Sequence, residues 1–268
     1  MSVPKRNDHA DALGELLDVI DALLAPDGCP WDREQTPRSM CDYLAEEAFE
    51  LIEAIRADDV VEAREELGDV LFILLFIAAK YQSRDAFTLS DSLRRSATKM
   101  IRRHPHVFAD TNFDDREALM DNWEQTKKLE NKDVGRKGVF DSLPKGLPPL
   151  LKAYRINSKA ARNRFTWQSD DGVEAQLRDE WREWRDALKS GDAQASEREF
   201  GDYLFTLVEL GRRKGIKANA ALDFANQKFL ARFGRMEALA EDKGMAFDEL
   251  DLHAMNALWD EVKKSEED

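Results

Sequence analysis

A chain of 268 residues with 43% apolar content is long enough for one large or two medium globular domains. Its net charge of −14 argues against a protein that grips a nucleic-acid polymer, because phosphate contacts need clustered cations. No apolar run approaches the ~18–20 residues needed to span a bilayer. Two cysteines, Cys29 and Cys41, with no histidine nearby, point to neither a disulfide framework nor a zinc site.

In chain order, residues 11–24 carry Leu13, Leu16, Leu17, Ile20, Leu23 and Leu24 at helical spacing, and Pro26-Asp27-Gly28 ends that helix. The opening residues lack the apolar core of a signal peptide, so the expected compartment is the cytoplasm. Residues 28–36, GCPWDREQT, read as a polar loop; its Trp31 either plugs the end of the bundle or meets a ligand's ring face. Residues 37–56 and 60–80 read as two helices joined at Ala57-Asp58-Asp59. The first carries Glu47-x-x-Glu50 and the second Glu66-x-x-Asp69, followed by the apolar run Val70 to Ala79. Residues three apart share a helix face. Folding back at the turn brings the two acidic pairs face to face. Four opposed carboxylates repel unless they are protonated or hold a cation, and oxygen ligands alone suit Mg2+, with Mn2+ as a substitute.

A further helix over 87–101, starting near Ser90, leads into KMIRRHPHVF, where Lys99 and Arg103 share a face suited to phosphate oxygens. Pro105, between His104 and His106, stops it. Residues 114–130 form another helix with Trp123 and Lys127, and 131–149 are a Gly- and Pro-containing linker. Helices are then expected over 149–162, 173–189, 194–213, 216–240 and 248–264, with no convincing strand anywhere.

The second half repeats the first. Glu47, Glu50, Glu66 and Asp69 recur as Glu180, Glu183, Glu199 and Asp202, all at one offset of 133. Lys99 and Arg103 recur as Lys228 and Arg232, Trp31 as Trp167, and Trp123-x-x-x-Lys127 as Trp259-x-x-x-Lys263, at slightly different offsets. An internal duplication accounts for this order. The expected architecture is all-α: an N-terminal bundle over 1–130, a linker over 131–149 and a C-terminal bundle over 150–268.

GCPWDREQT, the E-E-x-x-E and E-L-G-D pair and RRHPHVF together resemble the MazG family of nucleoside triphosphate pyrophosphohydrolases, and the resemblance covers nearly the whole chain. It implies an all-α, usually dimeric fold. It also implies Mg2+-dependent hydrolysis of nucleoside triphosphates to monophosphate and pyrophosphate, often with broad base tolerance. Carried over, the metal-binding acids fall on Glu47, Glu50, Glu66 and Asp69, with Glu46 as an extra acid, and on Glu180, Glu183, Glu199 and Asp202, with Asp179 in place of the extra Glu. The phosphate-contacting cations fall on Lys228 and Arg232, with Lys263 beside Trp259. Trp181 and Trp184 interrupt the third acidic helix, a departure from the family pattern.

Within that reading, Glu47 or Glu50, and Glu180 or Glu183, orient the attacking water. Lys99 and Arg103, or Lys228 and Arg232, hold phosphates, while Trp31 or Trp167 stacks on the base. Two other readings stand beside it: a non-catalytic dimeric interaction module, and a narrower pyrophosphohydrolase acting on dUTP or phosphoribosyl-ATP. A di-iron bundle fits poorly, since it wants Glu-x-x-His pairs.

Overall fold

The computed structural model describes residues 6–109, 111–113, 115, 118–119, 122–123, 126, 129–130 and 138–266. Among them are eleven α-helices, one 3-10 turn and no strand. The chain divides into two compact units, Met1–Lys127 and Lys128–Asp268. No helix is long and apolar enough to cross a membrane among the described residues.

The first unit contains α1 (Arg6–Leu24), the short α2 (Pro30–Glu34), α3 (Met40–Ala57), α4 (Val60–Gln82), α5 (Leu89–Arg103) and the single turn α6 (Pro105–Phe108). Helices α3 and α4 pack along each other, and α1 lies on α4. Ile20, Met40, Ile73, Leu75 and Phe76 form the buried core, with Leu16, Leu17, Leu24 and Leu44 around it. The alternation of these residues with acids at 3–4 spacing turns one face of α3 and α4 inward and leaves the carboxylates on the adjoining face.

The second unit contains α7 (Pro149–Arg162), α8 (Asp170–Ser190), α9 (Ala193–Arg213), α10 (Ala218–Asp242), a 3-10 turn (Phe247–Glu249) and α11 (Leu252–Lys264). Helices α8 and α9 form the long pair, α7 packs on α9, and α10 packs on α11 around Met236, Ala240, Leu258 and Val262.

The duplication extends to the turn chemistry. Asp58 ends α3 in the left-handed region at φ 56°, and Gly191, at the same offset of 133, ends α8 at φ 75°. The next residue caps the following helix in each case. Asp59 accepts from the backbone N–H of Val61 and Glu62, and Asp192 accepts from Ala195. These two caps fix where the second acidic helix begins and so the register of its carboxylates.

The helix expected over 87–101 starts later: Thr88 is its cap, in a reciprocal capping box with Asp91, and Ser90 lies inside it. The loop GCPWDREQT contains a helical turn, α2, with Pro30 at its first position. Lys127 and parts of the expected 114–130 helix and 131–149 linker fall outside the described residues.

Candidate metal and nucleotide site

Three carboxylates meet on the α3–α4 pair. Ligand oxygens of Glu47, Glu66 and Asp69 all lie within 4.8 Å of one another, and those of Glu180, Glu199 and Asp202 do the same on the α8–α9 pair. Glu50 and Glu183 stand outside these trios and are exposed. They remain within electrostatic reach, because Glu50 raises the pKa of Glu66, and Glu180, Glu199 and Asp202 raise that of Glu183.

Glu66 is the unusual member. It is only 7% exposed, and its Oε2 is buried without a hydrogen-bond partner. Burial first, then a hydrogen bond with Glu47 and the charges of Glu50, Glu47 and Glu62, push its pKa up to about 7. Glu47 is also raised, chiefly by burial, although its bond to Glu66 works the other way. A hydrogen bond between two carboxyl groups needs a proton on one of them. A buried carboxylate oxygen with no donor, facing two further acids, is an arrangement that a cation relieves. The donor set is all oxygen, so it fits Mg2+ or Mn2+.

The second trio is braced differently. Gln176 donates from Nε2 to Glu180 Oε1 at 2.8 Å, and Asp179, the extra acid, is paired with Arg182 at 2.5 Å. Although Glu183 is exposed, its pKa is raised, first by partial loss of solvent around its carboxyl and then by Glu180, Glu199, Asp179 and Asp202.

The Trp loops are tied to the ends of the second acidic helices. Lys80, near the end of α4, donates to the Arg33 carbonyl at 2.9 Å, and Arg213, its counterpart at the 133 offset, donates to the Trp167 carbonyl at 3.1 Å. Arg213 and Lys214 also hold Asp170, at 2.6 and 2.7 Å, which lowers that acid's pKa. Trp31 is 51% exposed and meets Tyr43 edge to face at 5.9 Å, so it does not plug the bundle. Trp167 is half-buried against Gly172.

The cations are arranged less simply. Lys99 and Arg103 lie one turn apart on α5, which joins the first core through Leu89. Arg232 is already engaged: its Nε and Nη2 donate to Glu266 Oε2 at 2.8 and 2.6 Å, and its guanidinium lies 5.9 Å from the Trp259 ring centre. Arg235 holds the other oxygen of Glu266. Lys228 and Lys263 are exposed. Sequence reasoning missed Glu266, which no local spacing marks. It also missed Tyr43 and Gln176, each four residues before the first acid of its pair, a spacing that could have revealed them.

The family model described as "MazG nucleotide pyrophosphohydrolase domain" matches residues 35–108. A protein named nucleoside triphosphate pyrophosphohydrolase from Escherichia coli is 35% identical over 96% of this chain and 98% of its own length. The chain belongs to the MazG family. A second MazG relative, named nucleoside triphosphate pyrophosphohydrolase/pyrophosphatase MazG and found in Thermotoga maritima, is 38% identical over 94% of this chain and 96% of its own. A solved MazG-related protein from the same organism aligns with 43% of this chain and 98% of its own, at 28% identity and a TM-score of 0.39. The stretch matched by the family model holds the first trio, Glu47, Glu66 and Asp69, together with Lys99 and Arg103.

Proposed function

We propose that this MazG protein hydrolyses nucleoside triphosphates to the monophosphate and pyrophosphate with Mg2+ (or Mn2+) at its acidic trios, over a broad range of bases, as nucleotide-pool housekeeping in the cytoplasm. The observation that carries the reading is the buried, unpartnered Oε2 of Glu66 beside Glu47 and Asp69 in a chain whose near-full-length relatives bear that activity in their names.

Glu47, Glu66 and Asp69, and Glu180, Glu199 and Asp202, would hold the cation. Once bound, it supplies charge neutralisation along the triphosphate and polarises the α-phosphorus. Glu50 and Glu183, outside the trios yet beside them, take the proton of the water that attacks that phosphorus, with Glu47 and Glu180 orienting it. The α–β bridging bond breaks and pyrophosphate leaves. A raised pKa suits Glu183 to this task, since a base works best with a pKa nearer the working pH. Lys99 and Arg103, and Lys228, Arg232 and Lys263, take the leaving phosphates. Arg232, resting over Trp259, must exchange Glu266 for a phosphate oxygen to do so. We further propose a homodimer, supported by Leu67, Leu71 and Leu74 on α4, which remain 51, 43 and 46% exposed.

The test is pyrophosphate release by Glu66→Gln, Glu199→Gln and the double variant with Mg2+. Loss of at least about tenfold in the double variant is expected. Unchanged turnover in the double variant overturns the carboxylate assignment.

A further inference from the structure

In the second unit one carboxylate already occupies cations that the phosphate reading needs. Glu266 stands in the turn just after α11, its N–H donating to Lys263 O at 3.2 Å. Its Oε2 accepts from Arg232 Nε and Nη2 at 2.8 and 2.6 Å, and its Oε1 accepts from Arg235 Nη1 at 2.9 Å. The bond from Arg232, then the charges of Arg232, Arg235 and Lys228, hold the Glu266 carboxyl below its ordinary value. Lys228, Arg232 and Arg235 follow one another at four and three residues on α10, so they share one helix face. All three therefore act on a single carboxylate.

The pair is not a loose surface contact. The side chains of Arg232 and Glu266 are only 19 and 23% exposed, so water screens them weakly. Arg232 is further fixed over Trp259, which Phe229 meets at 5.2 Å.

Local helix energetics do not ask for an acid at this place. A helix ends in partial negative charge, which Lys263 and Lys264 in the last turn of α11 complement and Glu266 just beyond it opposes. The acid nevertheless keeps its position in the duplication. Trp123-x-x-x-Lys127-Lys128-x-Glu130 recurs as Trp259-x-x-x-Lys263-Lys264-x-Glu266 at one offset of 136, while Thr126 becomes Val262 and Leu129 becomes Ser265. Carboxylate and phosphate are rivals for a guanidinium, because both offer paired oxygens to its fork of N–H donors.

We propose that Glu266 is a built-in competitor of the substrate's phosphates in the second unit: it closes Lys228, Arg232 and Arg235 in the resting protein, and a triphosphate binds by displacing it. The inference rests on the nucleotide-hydrolase reading above and adds to it a regulation of the second site. Exchanging one anion for another spares the cluster from standing as three uncompensated cations. A latch closed about four-fifths of the time leaves one-fifth of the molecules competent and weakens apparent affinity about fivefold. Pyrophosphate meets the same cations and is weakened alike, so the latch also limits product inhibition.

The experiment uses the full chain with Glu66→Gln, so that the first trio is silenced. Calorimetry in Mg2+ follows inorganic tripolyphosphate and pyrophosphate. Glu266→Ala and Glu266→Gln, the second keeping the size of the side chain, should each tighten both ligands about fivefold. In turnover assays of the same chains, KM for a nucleoside triphosphate should fall by the same factor with kcat within twofold. With Arg232→Gln already in place, Glu266→Ala should gain less than twofold, because the two residues act as a coupled pair. Unchanged or weaker tripolyphosphate binding in both Glu266 variants overturns the latch, since breaking a merely structural ion pair brings no gain in affinity. A full fivefold gain in the Arg232→Gln background overturns it too, because it would reflect only the loss of a negative charge. The hydrolase reading fails separately, through full turnover in the Glu66→Gln/Glu199→Gln double variant, whereas the calorimetry needs no turnover.

Discussion

Magnesium should displace a proton from the first site, and the structure sets how much. Glu66, with a pKa of about 7, is raised by burial and by its acidic neighbours. In the metal-free protein it is ~90% protonated at pH 6, about half at pH 7 and ~10% at pH 8, whereas an ordinary Glu is ionised throughout that range. A cation binds the ionised form, so loading the site releases about 0.9, 0.5 and 0.1 proton at those three values, and apparent Mg2+ affinity rises about tenfold from pH 6 to pH 8. The sign for stability runs the other way. A raised carboxyl contributes stability that is complete below its ordinary pKa and is lost as pH rises through its folded value. The metal-free protein therefore loses stability between pH 5 and pH 8 from this group, and magnesium restores it most at the alkaline end. The assay is calorimetry of Mg2+ binding to the Glu199→Gln chain in two buffers of different ionisation enthalpy, at pH 6, 7 and 8. Binding of equal affinity at pH 6 and pH 8, with no buffer-dependent heat, would refute the reasoning. Glu66→Gln should remove the proton release along with most of the binding.

Glu209 is 1% exposed and accepts from Arg212 at 2.6 and 2.8 Å and from Thr166 at 3.2 Å. Arg212 keeps some solvent contact, so Glu209→Ala should cost about 3 kcal/mol, at the low end for a broken buried pair, read as a lower urea midpoint. Asp59→Ala and Asp192→Ala each remove a cap and should each cost about 1 kcal/mol by the same measurement; no change at either position would contradict the shared turn chemistry. The carboxyl of Asp170 is held below its ordinary value by Lys214 and Arg213. Its contribution is present above that ordinary value and lost as pH falls through the lowered one, so Asp170→Asn should narrow the stability difference between pH 6 and pH 3. An unaltered difference would show that the contact is idle.

The duplication was legible because helical spacing and constant offset are properties of the chain itself. The offset of 133 relates even the left-handed residues Asp58 and Gly191 and the caps after them, so the same turn sets the start of the second acidic helix in each unit. Spacing alone could not say which carboxylate is buried. Glu66 and Glu50 both belong to an acid-x-x-acid pair, yet Glu66 is enclosed while Glu50 faces solvent, and that depends on how α3 and α4 are rotated about their axes. The loop GCPWDREQT looked irregular because Gly and Pro punctuate it. Its order comes from distant donors such as Lys80, 47 residues on from Arg33. The same holds for Arg232, whose partner Glu266 is 34 residues away. Contacts of that range leave no local pattern. Ser90 gave way to Thr88 as a helix cap because the reciprocal bond needs an acid three residues on, and Asp91 meets that condition for Thr88.

Crystals of the full chain grown with Mn2+ and a nonhydrolysable nucleoside triphosphate analogue would test the central claim most directly, through anomalous scattering at the manganese edge. The account predicts peaks between Glu47, Glu66 and Asp69 and between Glu180, Glu199 and Asp202, each also touching the analogue's phosphates. Manganese bound elsewhere, with both trios empty, would contradict it.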